Sequence, residues 1–315
     1  MTDVVAEEPG SSGPLVKWPD GTMAASVEWL REQLQTLGIA IHSDCGLAWS
    51  LRRLDILQGM LATHVNIRFG GRDDFVNFFL ESDGADFLSK TLHRGTLAGL
   101  SLDRMRWRHL VCGNPIPTMK ATRSYERDCV WETVLAAAMA TFCQNVQFAE
   151  PDVTGNFQGR PFGVAAKVAY SDENLWPNVE KGAAQADGLS SASVVFVNVV
   201  NLLPVADVYE ATRAFSTNQE ASDFVKGWAD SWCQQAQARA FATEWSQRAK
   251  NPVGVAFFMP LLVHAVIQPV PFYYVSMPVV WSKDPSPDYE FARAFLQSCN
   301  TVLGFQSTAS MEQSA

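Results

Sequence analysis

Two hydrophobic periodicities divide this chain. Over residues 24–37 Val27, Leu30, Leu34 and Leu37 recur on one helical face and Gly38 is a stop, so a helix is predicted there. Leu47, Leu51, Leu54 and Leu57 predict a second helix over 45–59. Weak alternation over 61–69 reads as a strand, and 73–80 and 87–100 read as short helices. Together these make a mostly helical N-terminal region over 18–117, closed by the linker Asn114, Pro115, Ile116 and Pro117.

Beyond it the pattern changes. Residues 123–143 form the strongest helix pattern, with Val130, Val134, Leu135, Ala138 and Phe142 at helical spacing and Ser124 or Thr122 as a cap. A strand is predicted over 146–152, ending at Pro151, which cannot donate to a ladder. The polar, Gly-containing stretch 154–160 reads as a turn, and 162–169 as a small-residue apolar strand broken only by Lys167. A helix follows over 178–188, then an almost unbroken apolar strand over 193–203, the pattern of a strand covered on both faces. A long helical region over 219–250 carries Trp228, Trp232, Phe241 and Trp245, whose spacing suits core packing. Strands over 253–263 and 272–281 and a helix over 288–303 complete the order. The fold class is therefore α/β, a mixed sheet of about five strands flanked by helices over 118–304, with a disordered leader over 1–17 and a flexible tail over 305–315.

Composition narrows the function. Hydrophobic residues make up 47% of the 315, enough for a sizeable core. The net charge of -9 counts against a surface coated in basic residues, though not against a local basic groove. One such cluster exists: Arg104, Arg106, Arg108 and His109 surround Trp107, either as a phosphate-binding patch or as a solvated helix face. The six cysteines are scattered without zinc spacing and read as buried free thiols in a reducing, cytoplasmic setting. The N-terminus does not read as a signal peptide, and no apolar run approaches the roughly 20 residues of a membrane span.

The chemistry concentrates between Glu132 and Gln185. Glu132 lies at the border of the apolar stripe of its helix. Lys167 sits inside a buried run, where an unpaired ammonium is costly, and Asp152 on the neighbouring strand is the natural partner. Two carboxylates from different elements can hold a divalent metal, and a lysine can polarise water or neutralise phosphate charge. No serine-hydrolase elbow, phosphate-binding P-loop or zinc-protease motif competes, and none of the five histidines is paired at ligand spacing.

Glu132 on a helix, Pro151-Asp152 at a strand end, Ala165-Ala166-Lys167 after a turn, and Gln185 on the next helix together resemble the PD-(D/E)xK nuclease superfamily, the restriction-endonuclease-like fold. The resemblance covers about a quarter of the chain. It implies a metal-dependent phosphodiesterase acting on DNA, with Mg2+ or Mn2+ as cofactor and a possible homodimer. It further implies Asp152 as central metal ligand, Glu132 as the helix carboxylate, Lys167 as the catalytic lysine and Gln185 as a supporting polar residue. The family's second acid stands two residues before the lysine, where this chain has Ala165. Some members carry that acid on the following helix, which makes Glu180 the expected metal ligand ahead of Glu150. The alternative expectations are a catalytically silent domain that binds nucleic acid or a protein, and a structural domain in which Asp152 and Lys167 form a buried ion pair.

Overall fold

The computed structural model describes residues 22–63, 69–112, 117–118, 120, 124–187, 192–234, 252–265, 268–280 and 287–303. The expected leader and tail, most of the linker, and the segment holding Phe241 and Trp245 lie outside these residues.

The chain is built on a six-stranded mixed sheet whose spatial order follows the chain. Its strands are β1 (Gln144–Ala149), β2 (Asp152–Phe157), β3 (Arg160–Val168), β4 (Ser193–Asn198), β5 (Pro252–Ala265) and β6 (Gln268–Val280). The first three are mutually antiparallel, β3, β4 and β5 run parallel, and β6 returns antiparallel to β5. Among the described residues the α-helices are α1 (Thr22–Thr36), α2 (Gly46–Thr63), α3 (Arg72–Leu97), α4 (Arg104–His109), α5 (Tyr125–Ala140), α6 (Asp172–Asp187), α7 (Val205–Thr212), α8 (Asn218–Cys233) and α9 (Pro287–Leu303).

The α/β class and the helical N-terminal region are present, with several departures from the sequence pattern, among them that the strand expected over 193–203 stops at Asn198 and a 3-10 helix follows at Val200–Leu202. The strand expected over 146–152 is two strands: β1 stops at Ala149, and Asp152 pairs back on it as the first residue of β2. The stretch expected as a turn is therefore the body of β2, which supplies the sixth strand. Its Gly155 serves packing, since a Cβ there would press Val146 at 3.2 Å and the Gln144 carbonyl at 3.3 Å. The turn itself falls at Gln158 and Gly159, both at positive φ, as a two-residue hairpin requires. The two short helices expected over 73–80 and 87–100 are one 26-residue helix, α3, which runs through Gly84 because its flanks are buried on both sides. Helix α6 starts at Asp172 and carries Pro177 inside it. Of the strand predicted over 61–69, residues 61–63 complete α2, and 64–68 lie outside the described residues.

The two sheet faces are covered differently. Strand alternation sends Val153, Phe157, Phe162, Val164, Ala166 and Val168 to one face, against α1, α2, α5, α9 and the C-terminal half of α3. Trp131 of α5 anchors that layer: its indole nitrogen donates to the Phe196 carbonyl at 3.3 Å and its ring stacks on Phe258. Ala165, Val195 and Val197 face the other layer, with Val179 and Ala183 of α6, Val208 of α7 and Val225 of α8. Helix α3 joins the two layers, giving Val76 and Phe79 to the second and Phe87 and Leu92 to the first. The N-terminal helices thus share a core with the sheet. Helices α3 and α5 meet at Gly95, where an added Cβ would stand 2.6 Å from the Ala137 Cα.

Candidate functional site

Antiparallel pairing of β2 with β3 begins at Val153 opposite Val164, so β3 runs past the start of β2. The backbone there needs an acceptor that β2 cannot supply. Asp152 provides it: its Oδ2 accepts from the Ala166 N–H at 2.7 Å. The same oxygen accepts from Lys167 Nζ at 2.6 Å, and Lys167 also donates to the Ala166 carbonyl at 2.9 Å. Both side chains are largely covered, 15% and 13% exposed. The Lys167 stem is held from above by α6, because a Cβ on Gly182 would lie 3.3 Å from Lys167 Cγ and 2.7 Å from Val195 Cγ1. The sequence places a glycine where helix and lysine must touch.

Glu132 comes from α5, on the opposite layer. Its Oε2 accepts from Arg106 Nη1 at 3.3 Å, and the Arg106 guanidinium lies 3.4 Å over the Phe148 ring of β1. Burial raises the Glu132 carboxyl above its ordinary value and the charge of Asp152 raises it further, while Arg106 and Lys167 oppose this. Burial likewise raises Asp152, with Lys167 and the Ala166 N–H pulling it down and Glu150 pushing it up. Glu132 therefore feels Asp152 as a like charge, and each carboxylate holds one cation.

The remaining expected residues separate. Glu180 is exposed on α6, and helical spacing puts it on the side away from Gly182 and Lys167. Glu150 lies in the turn between β1 and β2 and reaches Asp152 only through its charge. Among the described residues, no three His, Cys, Asp or Glu side chains converge as a metal-binding group. Ala165 is fully buried against the α6 layer, so nothing stands at the second-acid position except a methyl group.

Gln185 lies one turn beyond Gly182 on the same helix face, and its Oε1 is buried without a hydrogen-bond partner. Two further orphaned hydroxyls, Thr154 Oγ1 and Ser193 Oγ, lie on one cross-strand row, since Thr154 pairs with Gly163 and Gly163 with Ser193. By alternation that row faces α6, one step below Asp152 and Ala165. Neither Thr154 nor Ser193 stands out in the sequence, because a lone hydroxyl in a strand carries no periodic signal. Beside the ion pair, a cavity of about 100 Å³ is lined by Asp128, Lys167, Tyr170, Asn174, Asn178 and Lys181. Tyr170 donates to Asp128 at 2.9 Å on its wall.

The donor set suits a hard divalent cation in a limited way. Asp152 Oδ1 and Glu132 Oε1 carry no hydrogen bond among the described residues, leaving one oxygen on each carboxylate for a metal. Mg2+ is commonly held by one or two carboxylates, with water and phosphate completing its shell. Arg106 and Lys167 already balance the two negative charges, which lowers the attraction for a further cation.

The chain matches no family model, no curated protein and no solved structure. Among the described residues no helix is long and apolar enough to cross a membrane.

Proposed function

We propose that the chain is a divalent-metal-dependent phosphodiesterase of restriction-endonuclease-like fold acting on DNA. The observation that carries this reading is the Asp152–Lys167 pair at 2.6 Å across adjacent strands, with the negative charge of Asp152 felt at Glu132. Asp152 Oδ1 and Glu132 Oε1 would hold Mg2+ or Mn2+, which when bound supplies charge stabilisation at the phosphate and helps ionise water. Asp152 fixes the Lys167 ammonium at the site, where it neutralises negative charge building on the phosphate oxygens or orients the attacking water. Gln185, whose buried Oε1 has no hydrogen-bond partner, would be the supporting polar residue on α6. Five buried free cysteines fit a reducing cytoplasm, and double-strand cutting would call for a homodimer.

A second reading has its own support. Ala165 removes one carboxylate, Glu180 points elsewhere, and Arg106 occupies Glu132. These favour a catalytically silent domain that holds nucleic acid or a protein partner without cutting. One experiment separates the two. Plasmid and single-stranded DNA are incubated with Mg2+ or Mn2+ and the parent chain, Asp152→Ala or Lys167→Ala. Metal-dependent cleavage lost in both variants supports the phosphodiesterase. Cleavage that survives both substitutions removes the site from consideration, and DNA retention without cleavage selects the silent domain.

A further inference from the structure

Helix α4 places three arginines and a histidine in six residues with no acid among them, on a chain whose net charge is -9. Their surroundings differ. Trp107 is buried and fixes the helix to the core, and Asp103 caps it by accepting from the Arg106 N–H at 2.8 Å. Arg106 turns inward to Glu132. Arg104 and Arg108 are exposed, and neither has an ion-pair partner among the described residues. An anchored helix with two guanidinium groups uncompensated among the described residues is more than a solvated face: its position is set relative to the carboxylate site.

The start of α5 continues this surface. Tyr125 is 70% exposed, and on α4 Met105 is 55% exposed. The His109 ring meets the Tyr125 ring edge-on at 5.3 Å, holding it in place while leaving most of it open. Tyr125, Cys129 and Glu132 stand at i, i+4 and i+7, so they share one stripe of α5. Seven residues of helix span roughly 10 Å. That is the length of about three stacked nucleotides at 3.4 Å each. An open aromatic ring on the same surface as exposed arginines is the combination by which proteins hold single strands, with bases stacking and phosphates paired.

We infer that α4 and the first turn of α5 form a single-stranded DNA track leading to Glu132, with Arg104 and Arg108 on backbone phosphates and Tyr125 stacking a base. The track names the substrate form and rests on the phosphodiester reading of the adjacent site, but its binding is separable from cleavage. A duplex presents paired bases to one another and offers Tyr125 no free face, so the track favours one strand over two.

The test measures fluorescence anisotropy of a labelled 12-nucleotide single strand, and of the same sequence as duplex, over a salt series with chelator present so that nothing is cut. The full chain is compared with Arg104→Ala/Arg108→Ala, Tyr125→Ala and Tyr125→Phe. All the changed side chains are exposed, and thermal melting checks that the fold is retained. Losing two phosphate contacts lowers the slope of log affinity against log salt by about 1.4, at about 0.7 per contact on single strands. Tyr125→Ala weakens single-strand binding by about 5- to 150-fold, the loss of one stacked base at about 1–3 kcal/mol, while Tyr125→Phe binds as the parent does. Unchanged affinity and slope in the arginine double variant, or duplex bound as tightly as single strand, overturns the track. If the parent cleaves through Asp152 and Lys167 but these variants bind normally, the track alone falls. If the variants behave as expected and nothing is cut, the track stands and the phosphodiesterase falls.

Discussion

Replacing Lys167 with methionine keeps the stem that Gly182 packs against and removes only the ammonium. Asp152 is then left 15% exposed with the Ala166 N–H as its remaining hydrogen-bond donor. Breaking one side of a fully buried pair costs about 3–5 kcal/mol, because the surviving charge has lost its partner and cannot regain water. Here partial solvent access and the backbone donor relieve part of that, so Lys167→Met should cost about 2–3 kcal/mol at neutral pH. The double variant Asp152→Asn/Lys167→Met removes the stranded charge and should recover most of the loss, giving a coupling energy of at least about 1.5 kcal/mol. Urea unfolding followed by circular dichroism measures all four chains of the cycle. The pH dependence has a definite sign. With Asp152 held above its ordinary value of 3.8 by burial, the folded state binds more protons than the unfolded one. The deficit of Lys167→Met therefore grows as pH rises from 3.8 through the folded value, and fades below 3.8. A loss under about 0.5 kcal/mol, or strict additivity in the double variant, would show that the pair is a loose surface contact and that the site geometry argued from it is wrong.

Three further outcomes follow from the packing and the charges. Gly95→Ala gains about 0.5–1 kcal/mol of helix propensity but drives a methyl into the Ala137 backbone, so a net loss of about 2 kcal/mol is expected in urea unfolding; a stabilised variant would mean that α3 and α5 do not touch there. His264, held below its ordinary 6.5 by burial and by Arg213, favours the neutral ring, so stability falls as pH drops through 6.5. His264→Gln should flatten that fall, and an unchanged pH profile counts against the burial. Glu180→Gln should leave Mn2+ affinity by titration calorimetry and any DNA cleavage unchanged, since the side chain is exposed and turned from the site; a large loss of either would restore it as a ligand.

What the sequence made legible was local. The apolar periodicity of α5, the unbroken run of β4 and the cost of burying a lone lysine each depend on near neighbours, and they were enough to anticipate the Asp152–Lys167 contact. The split between β1 and β2 was missed because Thr154, Gly155 and Asn156 are turn formers by composition, while Val153 and Phe157 between them carry the strand alternation. Spacing alone separates Glu180 from Gln185, since residues five apart on a helix do not share a face. The Arg106–Glu132 contact joins residues from two helices across the intervening linker, and no periodicity reports it.

The close contact of Gly95 with Ala137 has a consequence well away from where it occurs. Helix α3 ends at Leu97, and α4 begins at Arg104 after a short connection that turns at Gly99. The spacing of α3 from α5 therefore sets where α4 hangs over the carboxylates. A guanidinium that must sit 3.3 Å from Glu132 and 3.4 Å from a phenyl ring tolerates little error. The smallest residue in the chain, buried between two helices, acts as the shim that aligns the arginine with its target. Thickening it should alter reach at the site before it threatens the fold.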